Sequence, residues 1–174
     1  MQCLDTGRTT WHITFGTYGT RLHGSERPTV DKQHNRLGTP FLPADAARQR
    51  QAHKRMSFTA RRFTQLQRLF IEQQIGPICE RGGLDYRICA AETDHVHLLC
   101  DIIPEIHGEK VRRLVKRWLG QALSEQWPLV RGERWWAVGG SNKAVRDGAY
   151  LNNAYRYILN QRATVPGSGT SRLA

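Results

Sequence analysis

The sequence predicts an α+β domain, a ferredoxin-like antiparallel sheet of four to five strands with helices on one face. Three observations carry this. β-rich runs and amphipathic stretches follow one another in the order β–α–β–β–α–β–α. Gly and Pro clusters separate them. With 174 residues, 39% of them apolar, the chain can close one core but not two full domains. One domain is expected over residues 1–163, followed by a flexible tail at 164–174.

Residues 9–18 are rich in β-formers and set Trp11, Ile13 and Phe15 on one face, which reads as the first strand. Residues 19–45 hold Gly24, Pro28, Gly38, Pro40 and Pro43 and follow neither period, so a long irregular loop is expected. Residues 46–74 read as one helix, with Phe63, Leu66, Leu69 and Phe70 inside and Arg48, Arg50, Lys54, Arg55, Arg61, Arg62 and Arg68 outside. Residues 86–91 and 95–103 read as the second and third strands, the latter stopped by Pro104. Residues 108–126 place Val111, Leu114, Val115, Trp118, Leu119, Ala122 and Leu123 at helical spacing. Lys110, Arg112, Arg113, Lys116 and Arg117 are expected on that helix's exposed side. Trp135-Trp136-Ala137-Val138 reads as the fourth strand, and a last helix is expected from Asp147 or Gly148 to about Arg162.

Composition narrows the partners. Lys and Arg total 26 against 15 Asp and Glu, a net charge of +11, with a pI near 10.2 and a mean hydropathy of −0.57. Such an excess points first to phosphate polymers and second to anionic surfaces. No apolar run approaches the ~20 residues that span a bilayer. Residues 1–10 lack the apolar core of a secretory signal, so a cytoplasmic, nucleoid-associated protein is expected. Cys3, Cys79, Cys89 and Cys100 form no Cys-x-x-Cys pair and read as free thiols, mostly buried.

Two segments hold chemistry. His95 and His97 stand two apart on a strand, so both imidazoles leave one face and can share a metal. The plain alternative is a polar pair on a solvated sheet face. A zinc site adding Cys89 and Cys100 fits poorly, because Cys100 belongs to the opposite pleat face. On the last helix, Leu151, Ala154, Tyr155, Ile158 and Leu159 make the apolar stripe, which places Tyr155 in the core. Tyr157 faces away, with Gln161 one turn on along the same face. An ordinary exposed tyrosine is the competing reading. The helix has no carboxylate after Asp147 while Arg146, Arg156 and Arg162 flank it, which suits the approach of a polyanion to a hydroxyl.

Asp94-His95-Val96-His97-Leu98-Leu99 resembles the His-hydrophobe-His motif of single-tyrosine HUH transposases, and Tyr157-Ile158-Leu159-Asn160-Gln161 resembles their tyrosine helix. Residues 12–20 and 136–141 are also similar, most of all to the REP-associated tyrosine transposases. The resemblance covers roughly residues 9–163. It implies the HUH nuclease fold, Tyr157 as nucleophile, and Mg2+ or Mn2+ held by His95 and His97 with Gln161 completing the set. It further implies a homodimer acting on single-stranded or hairpin DNA.

That chemistry is physically coherent. Only about one tyrosine hydroxyl in a thousand is ionised at neutral pH, so charge stabilisation at the phosphate must do most of the work. A phosphotyrosine at a DNA 5′ end conserves the bond energy for rejoining, and the sequence has no Gly-rich Lys-Ser/Thr loop for ATP. Arg55, Arg61, Arg62, Lys110, Arg112, Arg113, Lys116 and Arg117 are the candidate DNA contacts. A domesticated, non-catalytic nucleic-acid-binding module is the alternative. An initiator or relaxase nuclease fits less well, because Tyr155 and Tyr157 diverge around the helix. An amidohydrolase barrel fails on length, since ~250 residues is typical.

Overall fold

A computed structural model describes residues 2–22, 24 and 43–163. Most of the expected loop at 19–45 and all of the expected tail at 164–174 lie outside the described residues. Strands β1 (Thr9–Gly16), β2 (Asp85–Ala91), β3 (His95–Ile102) and β4 (Ser141–Val145) alternate with helices α1 (Ala46–Lys54), α2 (Gln65–Arg81), α3 (Gly108–Gln126) and α4 (Gly148–Gln161). The sheet order is β2-β3-β1-β4, and every pair is antiparallel. This is the expected α+β, ferredoxin-like layout.

Strand alternation sorts the sheet into two faces. Trp11, Ile13, Phe15, Val96, Leu98 and Cys100 meet Ile71 and Ile75 of α2 and Val111, Val115 and Leu119 of α3. The other face differs from the expectation. Instead of lying with α2 and α3, α4 crosses to the opposite side, where Leu151, Ala154 and Ile158 cover Ile88, Ala90, Leu99 and Val145. The helices therefore occupy both faces. A periodic stripe says which residues a helix buries, not which side of a sheet receives them.

Two further expectations are corrected. The helix expected at 46–74 is two helices. α1 stops at its cap, Arg55, and a new start is set by Thr64, whose side chain and that of Gln67 satisfy each other's backbone N–H groups. Between them Arg61 N–H donates to Tyr18 O at 2.8 Å and Phe63 N–H to Thr93 O at 2.7 Å, so tertiary hydrogen bonds claim the backbone that a continuous helix would use. The strand expected at Trp135-Trp136-Ala137-Val138 is no strand either. Only Trp136 forms a bridge, with Thr17, while Trp135 is buried. The chain then kinks at Gly139 and Gly140, both at positive φ, and the strand proper is Ser141–Val145 on Thr10–Thr14. At Gly140 a Cβ would stand 2.5 Å from Thr14 O, so only glycine fits this approach.

Candidate active site

The face covered by α4 gathers the polar side chains of the sheet's middle strands. Thr14 of β1 lies directly across from His97 of β3, and Gly16 across from His95. His95 Nδ1 is 2.6 Å from Asp94 Oδ1, and His97 Nδ1 is 2.9 Å from Thr14 Oγ1. When the ring protons sit on both Nδ1 atoms, where these oxygens can accept them, both Nε2 lone pairs turn inward; the two Nε2 atoms are 2.9 Å apart. Facing lone pairs at this distance require a proton or a cation between them. Adjacent ligands of an octahedral ion at about 2.1 Å stand about 3 Å apart, so the pair fits a shared divalent cation. Asp94 is buried and supplies the carboxylate–histidine arrangement that orients metal-binding imidazoles.

His97 is 7% exposed. Burial, followed by the neighbouring His95, His12 and Arg21, pushes its pKa down to about 3. It is thus neutral near pH 7, as a ligand must be.

α4 delivers the remaining groups, starting from its cap, where Asp147 Oδ1 accepts from Tyr150 N–H at 2.7 Å. Tyr157 stands edge-on to His97, ring centroids 5.4 Å apart, yet is 50% exposed. Tyr155 instead packs against the buried cluster of Leu151 and Ile158. Gln161 Oε1 is buried without a hydrogen-bond partner. An orphaned buried carbonyl oxygen is costly, and a cation would satisfy it. Among the described residues no cluster of three or more His, Cys, Asp or Glu side chains could hold a metal. Two imidazole nitrogens converge here, and Gln161 Oε1 is a further unsatisfied oxygen donor carried by α4.

The C-terminal end of α4 is tied to α2 around the edge of β2. Arg68 Nε donates to Ala91 O, and its Nη2 reaches Gln161 O at 3.4 Å. Buried Glu72 accepts from Ala91 N–H at 3.0 Å and from Ala163 N–H at 2.9 Å. These bonds hold the turn that bears Tyr157 and Gln161 beside the strand paired with His95 and His97.

The zinc alternative is ruled out by placement. Cys89 and Cys100 lie in the core on the far face of the sheet, and burial pushes the Cys89 thiol up to about 11. Cys79 is likewise buried and Cys3 exposed, all four free thiols.

The candidate DNA contacts divide. Arg55, Arg62, Lys110, Arg113 and Arg117 are exposed. Arg61 pairs with Glu133 at 3.0 Å beneath a guanidinium–indole contact with Trp135. Arg112, expected outside, is buried and donates to Gly140 O at 2.6 Å and Asn142 Oδ1 at 2.9 Å. Lys116 donates to Ala137 O and Gly139 O at 2.6 and 3.1 Å. Both brace the kink before β4. The exposed cations of α3 sit on the layer behind the sheet, because α3 packs on the face away from the histidines.

Sequence reasoning missed His12, Thr14, Tyr150, Lys143 and Arg21. The signal for the first two was present, since alternation that puts Trp11, Ile13 and Phe15 inward puts His12 and Thr14 on the opposite face. Lys143 is paired across from His12 on β4.

No protein-family model matches the chain, and no curated protein matches it. Among solved structures it is similar to a chain from Deinococcus radiodurans described as a "putative transposase", with a TM-score of 0.48 at 14% identity, over 94% of this chain and 100% of that one. At that level the likeness decides nothing about chemistry.

Proposed function

We propose that this protein is a metal-dependent single-strand DNA endonuclease and strand transferase, a transposase of the HUH, REP-associated kind. The observation that carries the reading is the seat of Tyr157, half-exposed and edge-on to His97, beside two imidazole nitrogens that converge at 2.9 Å. In this reading His95, His97 and Gln161 hold Mg2+ or Mn2+. The bound ion supplies Lewis-acid stabilisation of charge on the phosphate oxygens.

Tyr157 Oη attacks the scissile phosphorus as the bond from phosphorus to the 3′ oxygen breaks. The tyrosine proton is released, the departing 3′ oxygen takes up a proton, and the 5′ phosphate remains esterified to Tyr157. Attack by a free 3′ hydroxyl reverses the sequence and joins two strands. The exposure of Tyr157 lets an unpaired strand approach, and Thr14 and Asp94 hold the imidazole rings in place. Arg21 and Lys143 near the histidines hold single-stranded or hairpin DNA at Tyr157, while Arg55, Arg62, Lys110, Arg113 and Arg117 lie farther out, the last three on the layer behind the sheet. A homodimer would present two such sites to two DNA ends.

The test is incubation with an end-labelled DNA hairpin and Mn2+, read on a denaturing gel. A covalent protein–DNA band that disappears with chelator and in Tyr157→Phe is expected. Binding with no covalent band under any condition would point to the non-catalytic module instead.

A further inference from the structure

β1 contributes a third histidine to the site face. His12 Nε2 lies 3.3 Å from His97 Nδ1, and His12 Nδ1 lies 2.9 Å from Tyr150 Oη. The two imidazoles are tilted at 41° with centroids 5.4 Å apart. His12 is not a third ligand, because it approaches His97 from the Nδ1 side, behind the nitrogen that faces His95.

We propose that His12 is a positioning residue for His97, held in turn by Tyr150, so that the tyrosine helix and the metal ligand are joined through one imidazole. The inference rests on the reading above that His95 and His97 bind a divalent cation.

The proton count gives the chain its direction. A ligand nitrogen at His97 Nε2 must be unprotonated, which leaves the ring proton on Nδ1. That N–H has two acceptors in reach, Thr14 Oγ1 at 2.9 Å and His12 Nε2 at 3.3 Å. His12 Nε2 accepts only if the proton of His12 sits on Nδ1, from which it donates to Tyr150 Oη. The other tautomer would set two N–H groups head to head. Loading of His97 therefore selects one tautomer of His12, and with it the bond to α4.

The helix meets the histidines twice as a result. Tyr157 lies two turns after Tyr150, on nearly the same side of α4, and touches His97 directly, while Tyr150 reaches it through His12. Tyr150 is itself fixed, its N–H on the cap Asp147 and its ring under Lys143 Nζ at 5.2 Å from the centroid. Partners of this kind are worth 10- to 100-fold in metal affinity. With Thr14 still in place, about tenfold is expected from His12.

The test is Mn2+ titration of the full chain, followed by the electron paramagnetic resonance signal of free Mn2+, for wild type, His97→Ala, His12→Ala, His12→Gln, Tyr150→Phe and the His12→Ala/Tyr150→Phe pair. Metal-free melting of each variant is recorded alongside. Wild type is expected to bind and His97→Ala to lose binding. His12→Ala should bind about tenfold more weakly. His12→Gln, whose amide oxygen can accept from Nδ1–H, should recover part of the loss. Tyr150→Phe, which keeps the ring and the fold, should weaken binding, and adding it to His12→Ala should cost nothing further. Absence of Mn2+ binding by wild type sinks the metal reading and this inference with it. Normal wild-type binding matched by His12→Ala, or full additivity of His12→Ala and Tyr150→Phe, overturns the inference alone. If His12→Ala fails to fold, the folded Tyr150→Phe decides: weakened Mn2+ binding supports the positioning role, and wild-type affinity rejects it.

Discussion

The ring of Tyr157 stands at 82° to the imidazole of His97, edge to face, and keeps half its surface in solvent. The aromatic contact belongs to the ring, and the proposed chemistry to the hydroxyl. Tyr157→Phe should therefore reduce the covalent DNA adduct to background while changing stability by less than about 0.5 kcal/mol, as surface substitutions do. Tyr155→Phe should leave the adduct in place. Adduct yield on a denaturing gel, beside a denaturant titration, checks both.

The same contact is made within one chain. β4, hydrogen-bonded to β1, occupies the stretch before α4, and Glu72 and Arg68 clasp the helix at its other end. Neither end of α4 is a loose hinge, and the indoles of Trp135 and Trp136 pack into the chain's own core. Mixtures of Tyr157→Phe with His97→Ala should accordingly stay at background activity. Recovery toward half of wild-type activity would mean that Tyr157 serves a partner's histidines.

Glu72 is buried and is the acceptor for two backbone N–H groups on different elements. Glu72→Ala strands both, and each orphaned donor costs about 1–3 kcal/mol. A loss of about 2–3 kcal/mol is expected in urea unfolding. Amide exchange at residues 161–163 should accelerate more than exchange in β3, and adduct yield should fall as the turn carrying Tyr157 loosens. Glu72→Gln, keeping one acceptor oxygen, should lie between.

Much of this arrangement was legible in residue order. Alternation located β3 and put His95 and His97 on one face, and the 3.6-residue period separated Tyr155, partly buried against the apolar cluster, from exposed Tyr157. What escaped was whatever tertiary contacts decide. β4 carries Asn142 and Lys143 at its centre because it is an edge strand, so its pattern is weak, while the aromatic run Trp135-Trp136 looks like a strand because it is core. Arg112 and Lys116 lie at helical positions read as solvent, yet the carbonyls of the Gly139-Gly140 kink recruit them. Composition cannot report such a pairing.

The division of the basic residues between two layers gives the final prediction. Lys143 projects on the histidine face, across from His12, whereas Arg117 of α3 lies behind the sheet, its guanidinium near the ring of Trp118. A strand whose phosphate reaches Tyr157 must run over the first and need not touch the second. Lys143→Glu should thus weaken hairpin binding severalfold more than Arg117→Glu, and only the first should lower adduct yield at saturating DNA. Because each neutralised phosphate releases counterions, Lys143→Glu should also flatten the slope of log affinity against log salt by about one unit or more. Fluorescence polarisation at two or more salt concentrations measures both effects. Equal losses from the two substitutions would show that DNA wraps around to the α3 layer, and a larger loss from Arg117→Glu would put the main DNA track behind the sheet.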